Sequence, residues 1–468
     1  NRELKIFVLL LGLISFSNLI FSNNTFALFT PTLSASVDNT AVSVNGNQVI
    51  NSTNKTTEIP LNLTVNTNNK TGYTATLSSE TENTALTNVT SSSGAKINSI
   101  SSAGPLGGFS NNTWGYKFGA SMNYAPIPAL STPAQILQTT GKTNGNDTNS
   151  IKIGMKLGDN LESGNYNNKL IFSILTNNYE QIAIMTEGWD FNVKLKSLET
   201  ATSKIEHFKK STIAPATSMN AVNIEDEASD CEIKLWLDPT DKTAYYYTDS
   251  EKVHLNKNSS FMFYRIYSLT SLDLSSFNTS NVADMSYMFS ELNKVINLDL
   301  SNFNTYQVTN MQDMFSYMHI LTSLNLSNFN THQVVNMGYM FCYVLNLTSL
   351  DLSNFDTSNV TDMRYMFYIM PNLASLDLSN FNTSKVTDMT RIFSDSDGYD
   401  YNDKLEKIYV NNDFNITELT NYSEMFRNRK KLQGGNGSYL TNPSTADKSW
   451  LRIDDPANGR PGYFTRKP

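Results

Sequence analysis

The sequence predicts a multidomain protein in which an all-β sandwich is followed by an α/β solenoid of parallel strands and short helices with a 26-residue period. Two observations support this fold class. In the first third of the chain, short runs alternate apolar and polar residues, as half-buried strands do. From residue 270 onward one phrase returns at a constant interval, which indicates stacked structural units.

Length and composition exclude several functional classes. The 468 residues exceed what one ordinary core holds. The net charge of -8, from 35 Lys and Arg against 43 Asp and Glu, argues against nucleic acid as a partner, because phosphate binding needs a basic stripe. The two cysteines, Cys231 and Cys342, are too few for a disulfide framework or a cysteine-based zinc site. They lie more than four repeat units apart, so we expect both to be free thiols.

The N-terminus has the pattern of an export signal. Arg2 and Lys5 precede the apolar run Ile6–Ile14, and a small-residue site ends at Ala27. This pattern predicts a signal peptide over residues 1–27 and a secreted or cell-surface protein. The alternative is an uncleaved membrane anchor, because Phe16–Phe21 extends the apolar run toward the roughly 20 residues that a span needs. In that case the membrane contact would come through this segment alone.

Residues 28–178 are predicted to form the β-sandwich domain. Ile59–Val65 alternates, Asn68–Gly72 supplies a turn, and Tyr73–Leu77 resumes the alternation, which predicts a hairpin. Two further alternating runs predict strands at 151–157 and 169–175.

Two phrases of this domain resemble a known family. Asn112–Tyr116 (NTWGY) and Ser163–Tyr166 (SGNY) are similar to phrases of an immunoglobulin-like β-domain of exported bacterial proteins. Trp114 within the first phrase could be a binding aromatic. We expect it instead in the core, because large aromatic side chains dominate such cores.

The repeat is the strongest signal in the chain. Its unit is close to L-D-L-S-N-F-N-T-S-x-V-T-D-M-x-x-M-F, and the first leucine recurs every 26 residues at Leu272, Leu298, Leu324, Leu350 and Leu376. A period in the twenties with an L-x-L phrase is the signature of leucine-rich repeats. We predict a linker and N-terminal cap over 179–245. The leucine-rich-repeat solenoid follows over 246–466, with a degenerate last repeat and a C-terminal cap.

Each position of the unit has a predicted place. The leucines point inward from a strand, and the residues between them point outward. Asp284 stands where a helix N-cap would lie, and Met285, Met288 and Phe289 share one face of a short helix. Asn278 and its equivalents are expected to stabilise turns.

The outward face of the predicted strands is the candidate ligand-contact face. Its residues are Asp273, Ser275, Asp299, Ser301, Asn325, Ser327, Asp351, Ser353, Asp377 and Ser379. Solenoids bind partners through such extended faces. The alternative is that these side chains only keep the sheet solvated. Stacked carboxylates repel one another unless solvated or bridged by cations, so calcium is conceivable there, but we favour no metal and predict no cofactor.

The repeat resembles the BspA-like leucine-rich repeat of bacterial surface proteins, also seen in mycoplasma lipoproteins. The resemblance covers residues 180–466, with Trp236 near its entry and Pro461–Phe464 near its exit. It implies attachment to host proteins or neighbouring cells, and it implies no catalytic residue.

The sequence therefore predicts an adhesin-like protein that binds an extracellular protein or glycan. The rival hypothesis is a structural surface spacer with no specific ligand. An enzyme is not expected, because the β-domain shows no nucleophile elbow, no metal-ligand spacing and no paired carboxylates on one element.

Overall fold

Alternating apolar side chains build the first of two units into which the chain divides. The computed structural model describes residues 2–13, 29, 31–396 and 403–468. The first unit comprises the described residues up to 180, and the second those from 181 onward. Each unit has its own hydrophobic core.

The described residues of the first unit form eleven strands and one short helix. The strands are β1 Arg2–Leu13, β2 Leu33–Val37, β3 Ala41–Asn45, β4 Thr56–Thr67, β5 Tyr73–Ser79, β6 Leu86–Thr87, β7 Lys96–Ser99, β8 Thr113–Phe118, β9 Ala134–Gln138, β10 Asp147–Lys156 and β11 Gly164–Thr176; helix α1 is Gly46–Ile50, and a 3₁₀ turn spans Leu106–Gly108. The alternating runs named above thus form strands, as predicted.

The pairing of these strands differs from the prediction. They form one connected sheet in the order β2-β4-β10-β8-β7-β6-β11-β1-β3, with β5 joined to β11 and β9 joined to β5. The prediction of a sandwich of two separate sheets is therefore wrong. The predicted hairpin is also wrong, because β4 pairs with β2 and β10 whereas β5 pairs with β9 and β11. The apolar alternation fixes which face is buried but not which strand is the neighbour.

Trp114 lies at the centre of this core, as expected. It is fully buried, and its indole N–H donates to the carbonyl of Thr84 at 2.9 Å. A binding role for this side chain is thereby excluded in the folded unit.

Part of the predicted signal peptide lies in the sheet. Strand β1 pairs in parallel with β11 and antiparallel with β3. Residues 14–27 of the predicted signal lie outside the described residues, so cleavage stays a prediction.

The described residues of the second unit form helix α2 (Gly188–Ser197) and a series of short strands. They are β12 Ala183–Ile184, β13 His207–Lys210, β14 Val222–Asn223, β15 Lys234–Asp238, β16 Thr243–Tyr247, β17 Val253–His254, β18 Ser271–Leu272, β19 Phe277–Asn278, β20 Asn297–Asp299, β21 Ser323–Asn325, β22 Ser375–Asp377, β23 Lys407–Val410 and β24 Phe464–Arg466; 3₁₀ turns span Thr217–Met219, Pro443–Thr445, Lys448–Trp450 and Pro456–Asn458.

Successive repeats are joined in parallel. A parallel bridge links each repeat to the next at Asp284 and at the aspartate or asparagine in the same place of the other repeats: Asn258, Asn310, Asn336, Asp362, Asp388 and Asn421. Leucines, phenylalanines and methionines of all repeats fill one continuous core. We call residues 257–396 with 403–428 the repeat stack.

The predicted leucine-rich-repeat α/β solenoid is wrong, because the repeats contain turns where helices were expected. In the described part of the repeat stack no residue is helical. Tyr287 and Glu291 adopt left-handed backbone angles, with φ of 57° and 61°, and interrupt any helix. Met285, Met288 and Phe289 are still fully buried, so the apolar pattern predicts their burial correctly although their backbone is not helical.

Hydrogen bonds between repeats explain this backbone. The amide of Tyr287 donates to the carbonyl of Gln312 at 2.9 Å, and that of Phe289 donates to Met314 at 3.1 Å. In a helix these amides would bond four residues back within the same segment. Asp284 keeps the predicted capping contact, since its Oδ1 accepts from the amide of Ser286 at 2.8 Å.

A buried threonine clamps each repeat to the next. The Thr331 hydroxyl donates to the carbonyl of Asp356 at 2.8 Å and accepts from the amide of the same residue at 2.8 Å. Equivalent pairs are made by Thr279 with Asn304, Thr305 with Asn330, and Thr357 with Asn382. The threonine of the repeat therefore replaces a strand ladder where regular strands are absent.

Candidate binding face

Where the strands pair, each predicted contact residue lies opposite a residue of the neighbouring strand. Asp299 lies opposite Asn325 in the parallel pair of β20 and β21. Asp377 lies opposite Tyr409 in the pair of β22 and β23. Asp351 belongs to no strand, yet it lies close enough to Asp377 for the two carboxylates to repel each other. We call the ten predicted residues the strand face.

Most of the strand face is open to solvent. Seven of its side chains are exposed, and Ser301, Asp377 and Ser379 are half-buried. At its C-terminal end the Lys467 side chain contacts Asp377 and Ser379.

Each acidic position also has a local structural task. One carboxylate oxygen accepts the backbone N–H of the serine two residues later, at 3.1 Å for Asp273, 3.0 Å for Asp299 and 2.9 Å for Asp351. Asn325 makes the same contact with its amide oxygen at 3.1 Å. Such turns explain why Asp and Asn interchange at this position. The second carboxylate oxygen is not needed for the turn.

These contacts keep the face negatively charged. The backbone N–H of Ser301 lowers the pKa of Asp299, and that of Ser353 lowers the pKa of Asp351. Burial opposes the same shift at Asp377, but the Lys467 ammonium, 2.7 Å from its carboxylate, lowers the pKa overall. All three groups are therefore ionised at neutral pH.

The face continues beyond the predicted residues at its N-terminal end. Strand β13 lies between β16 and β18, so His207 neighbours both Thr243 and Ser271 in register. Lys209 lies beside Tyr245 on one side, and the amide of Asp273 bonds to β13 on the other. The sequence prediction does not include these groups, because they precede the repeat and share none of its period. No alternation marks His207–Lys210, in which Phe208 is the single apolar residue.

The turns that follow the bridging aspartates and asparagines of the repeat stack carry stacked tyrosines. Tyr339 stacks on Tyr365 with ring centroids 4.5 Å apart, and Tyr287 stacks on Phe261 at 4.6 Å. The rings cover each other's faces and are half-buried. Their geometry supports packing of the turns rather than a platform for a ligand.

The turn and thiol predictions are confirmed. Asn278 accepts the amide of Ser280 at 3.0 Å, as a turn-stabilising side chain does. Cys231 and Cys342 are buried and unpaired.

The described residues offer no preformed metal site. Within 2–13, 29, 31–396 and 403–468, no group of three or more His, Cys, Asp or Glu side chains is arranged around one point. The same residues include no helix with the length and apolar character needed to cross a membrane.

The repeat matches one sequence family. Residues 257–349 and 343–453 match the family described as "Mycoplasma protein of unknown function, DUF285". The repeat stack is thus similar to a bacterial family of the mycoplasma type. This match supports the coarser prediction of a bacterial surface protein. No curated protein matches the chain.

Proposed function

We propose that this chain is an exported, adhesin-like protein that binds an extracellular protein or glycan through the strand face. The observation that supports the proposal most is the row of carboxylates at Asp273, Asp299, Asp351 and Asp377, of which the first three are exposed to solvent. Asparagine at 325 makes the same turn, so a carboxylate is not required by the fold. Its repeated use is explained by recognition at the surface.

A structural spacer is the second candidate. It is favoured by the same turns, because each aspartate already bonds a backbone amide of its own repeat. A spacer would tolerate any substitution that preserves these turns. The two proposals therefore differ in their response to loss of charge alone.

The test exploits the natural asparagine. In Asp299→Asn, Asp351→Asn and Asp377→Asn combined, every turn keeps its acceptor oxygen while three charges are lost. The purified full-length chain and this variant are applied to arrays of extracellular-matrix proteins and glycans, with and without calcium. Saturable binding that weakens at least tenfold in the triple variant supports the adhesin proposal. Calcium is a bridging ion only if chelation abolishes the same binding.

A matched control removes a carboxylate elsewhere. Asp356 makes the same kind of turn with Ser358 at 2.9 Å, but it follows the phenylalanine and is not part of the strand face. Asp356→Asn should bind like the wild-type chain. Equal binding by all three proteins, or no binding at all by the folded chain, favours the spacer.

A further inference from the structure

A depression lies at the N-terminal end of the strand face. It measures about 470 Å³ and is lined by His207, Phe208, Lys209, Asp241, Thr243, Ser271, Leu272 and Asp273. Its volume falls within the range of small-ligand sites. Of this group, Ser271, Leu272 and Asp273 belong to the repeat that the sequence revealed.

Three neighbouring strands bring these side chains together. Strand β13 pairs in parallel with β16 and β18, so Thr243, His207 and Ser271 form one row across the sheet. Lys209 lies two residues further along β13, on the same face as His207. Strands thus hold His207, Lys209, Thr243 and Ser271, whereas Asp241 and Asp273 lie within two residues of the ends of β16 and β18.

The imidazole of His207 is fixed in orientation. Its Nδ1 lies 2.8 Å from the hydroxyl of Ser271 and 3.4 Å from that of Thr270. The opposite nitrogen bonds no residue that the structure describes, so it is available to a ligand. Because serine can donate or accept, either tautomer of the ring satisfies this contact.

The charged groups of the depression keep unused hydrogen-bonding capacity. Asp241 accepts from the hydroxyl of Tyr245 at 2.7 Å and from the amide of Thr243 at 3.0 Å. Asp273 uses one oxygen for its turn with Ser275. The ammonium of Lys209 makes no hydrogen bond or ion pair with the described residues, and lies 5.1 Å from the centroid of the Tyr245 ring.

This combination of groups selects a class of ligand. Two carboxylates can each accept two hydroxyl groups, while the ammonium and the imidazole can donate to hydroxyl or ring oxygens. With two carboxylates against one ammonium, the site disfavours anions. The neighbouring Glu206 is already paired with Lys242 at 2.6 Å and adds no free charge. A neutral, polyhydroxylated molecule satisfies both the donors and the acceptors.

We propose that this depression binds one saccharide unit of a neutral glycan. The inference rests on the proposed function, because it names the ligand class of the same face. It assigns to Asp241, Asp273, His207 and Lys209 the contacts with the sugar hydroxyl groups. The remaining strand face then receives the rest of the glycan chain or a protein to which the glycan is attached.

The test uses the full-length chain and immobilised neutral oligosaccharides of hexose and N-acetylhexosamine units, with hits measured by calorimetry. Asp273→Asn keeps the turn with Ser275 and removes the charge, and His207→Ala removes the free ring nitrogen. We expect each to weaken binding roughly tenfold to a hundredfold. Asp299→Asn, one repeat further along, should have a smaller effect, and Asp356→Asn should have none.

The outcomes separate this inference from the proposed function. Absence of binding to every neutral oligosaccharide overturns the saccharide site, whereas protein binding lost in the triple aspartate variant would still support the proposed function. A glycan whose binding is unchanged in Asp273→Asn and His207→Ala also overturns the site. Circular dichroism of each variant confirms that loss of binding is not loss of fold.

Discussion

Replacing one threonine of the repeat stack tests whether hydrogen bonds between repeats hold the stack together. Thr331 is 1% exposed, and its hydroxyl both donates to and accepts from the backbone of Asp356. Valine has the same shape but no hydroxyl. Thr331→Val therefore leaves one backbone N–H and one carbonyl without partners while the packing of the methyl groups is retained.

The expected loss of stability follows from these two groups. An unsatisfied buried donor or acceptor costs about 1–3 kcal/mol. The carbonyl keeps a second lone pair and the site is close to the surface, so the two groups should cost less than the upper limit for both. We expect Thr331→Val to lower the free energy of unfolding by about 2–4 kcal/mol. Thr331→Ser keeps both hydrogen bonds and loses one methyl group, worth about 1 kcal/mol. The predicted order of stability is wild type, then serine, then valine.

Urea unfolding of the full chain, followed by tyrosine fluorescence and circular dichroism, measures this order through the transition midpoint. Thr348→Val serves as the control, since Thr348 is exposed and should change stability by less than about 0.5 kcal/mol. If the valine variant is as stable as wild type, or more stable than the serine variant, the threonine hydroxyls do not clamp the repeats and the reasoning fails.

Three further predictions concern buried or charged groups. Arg429 is buried and pairs with Asp403, so Arg429→Met should lower the free energy of unfolding by about 3–5 kcal/mol. Adding Asp403→Leu to the same chain should restore much of that loss, because no unpaired carboxylate then remains. Thermal unfolding of the single and double variants measures both effects. Hydrogen bonds from a tyrosine and two lysines hold the pKa of Glu58 at about 2 instead of 4.5, so its contribution to stability is present above pH 4.5 and lost as the pH falls to about 2. The difference in melting temperature between wild type and Glu58→Gln should accordingly shrink over that range; a constant difference would contradict the assignment. Burial raises the pKa of Cys231 to about 11 and also raises that of Cys342, so a thiol reagent at pH 8 should label two groups only after unfolding.

The sequence predicted the side-chain environment of the repeat better than its backbone. The methionines are buried, the leucines and phenylalanines are buried or half-buried against the same core, and the Asp273 and Asn278 positions form the turns expected of them. These features depend on local chemistry that repeats every 26 residues. The spacing of Met285, Met288 and Phe289 was compatible with a helix and equally with two successive turns. The choice depends on bonds to residues 25 positions away, which no local pattern contains.

The depression could not be predicted from the sequence, for a different reason. His207 and Lys209 reach the strand face because β13 inserts between β16 and β18, although 36 residues separate His207 from its neighbour Thr243. The order of strands in a sheet is not encoded in alternation. Arg429 shows the same limit, since its partner Asp403 precedes it by 26 residues beside an insertion that interrupts the repeat.

The absence of helices changes how the strand face is presented. An α-helix is about 10 Å wide, whereas paired strands lie about 4.8 Å apart. Stacked repeats that carry a helix on one side must therefore lie farther apart on that side than on the strand side, which curves the stack. Here the turn side is spaced far more closely than helices would be, because Tyr339 and Tyr365 stack at 4.5 Å, Tyr317 and Tyr343 at 4.7 Å, and Phe289 and Phe315 at 6.0 Å. This close spacing removes the main cause of the splay. Successive aspartates therefore stay at strand spacing along the face, which suits an extended glycan or peptide better than a globular partner held in a concave surface.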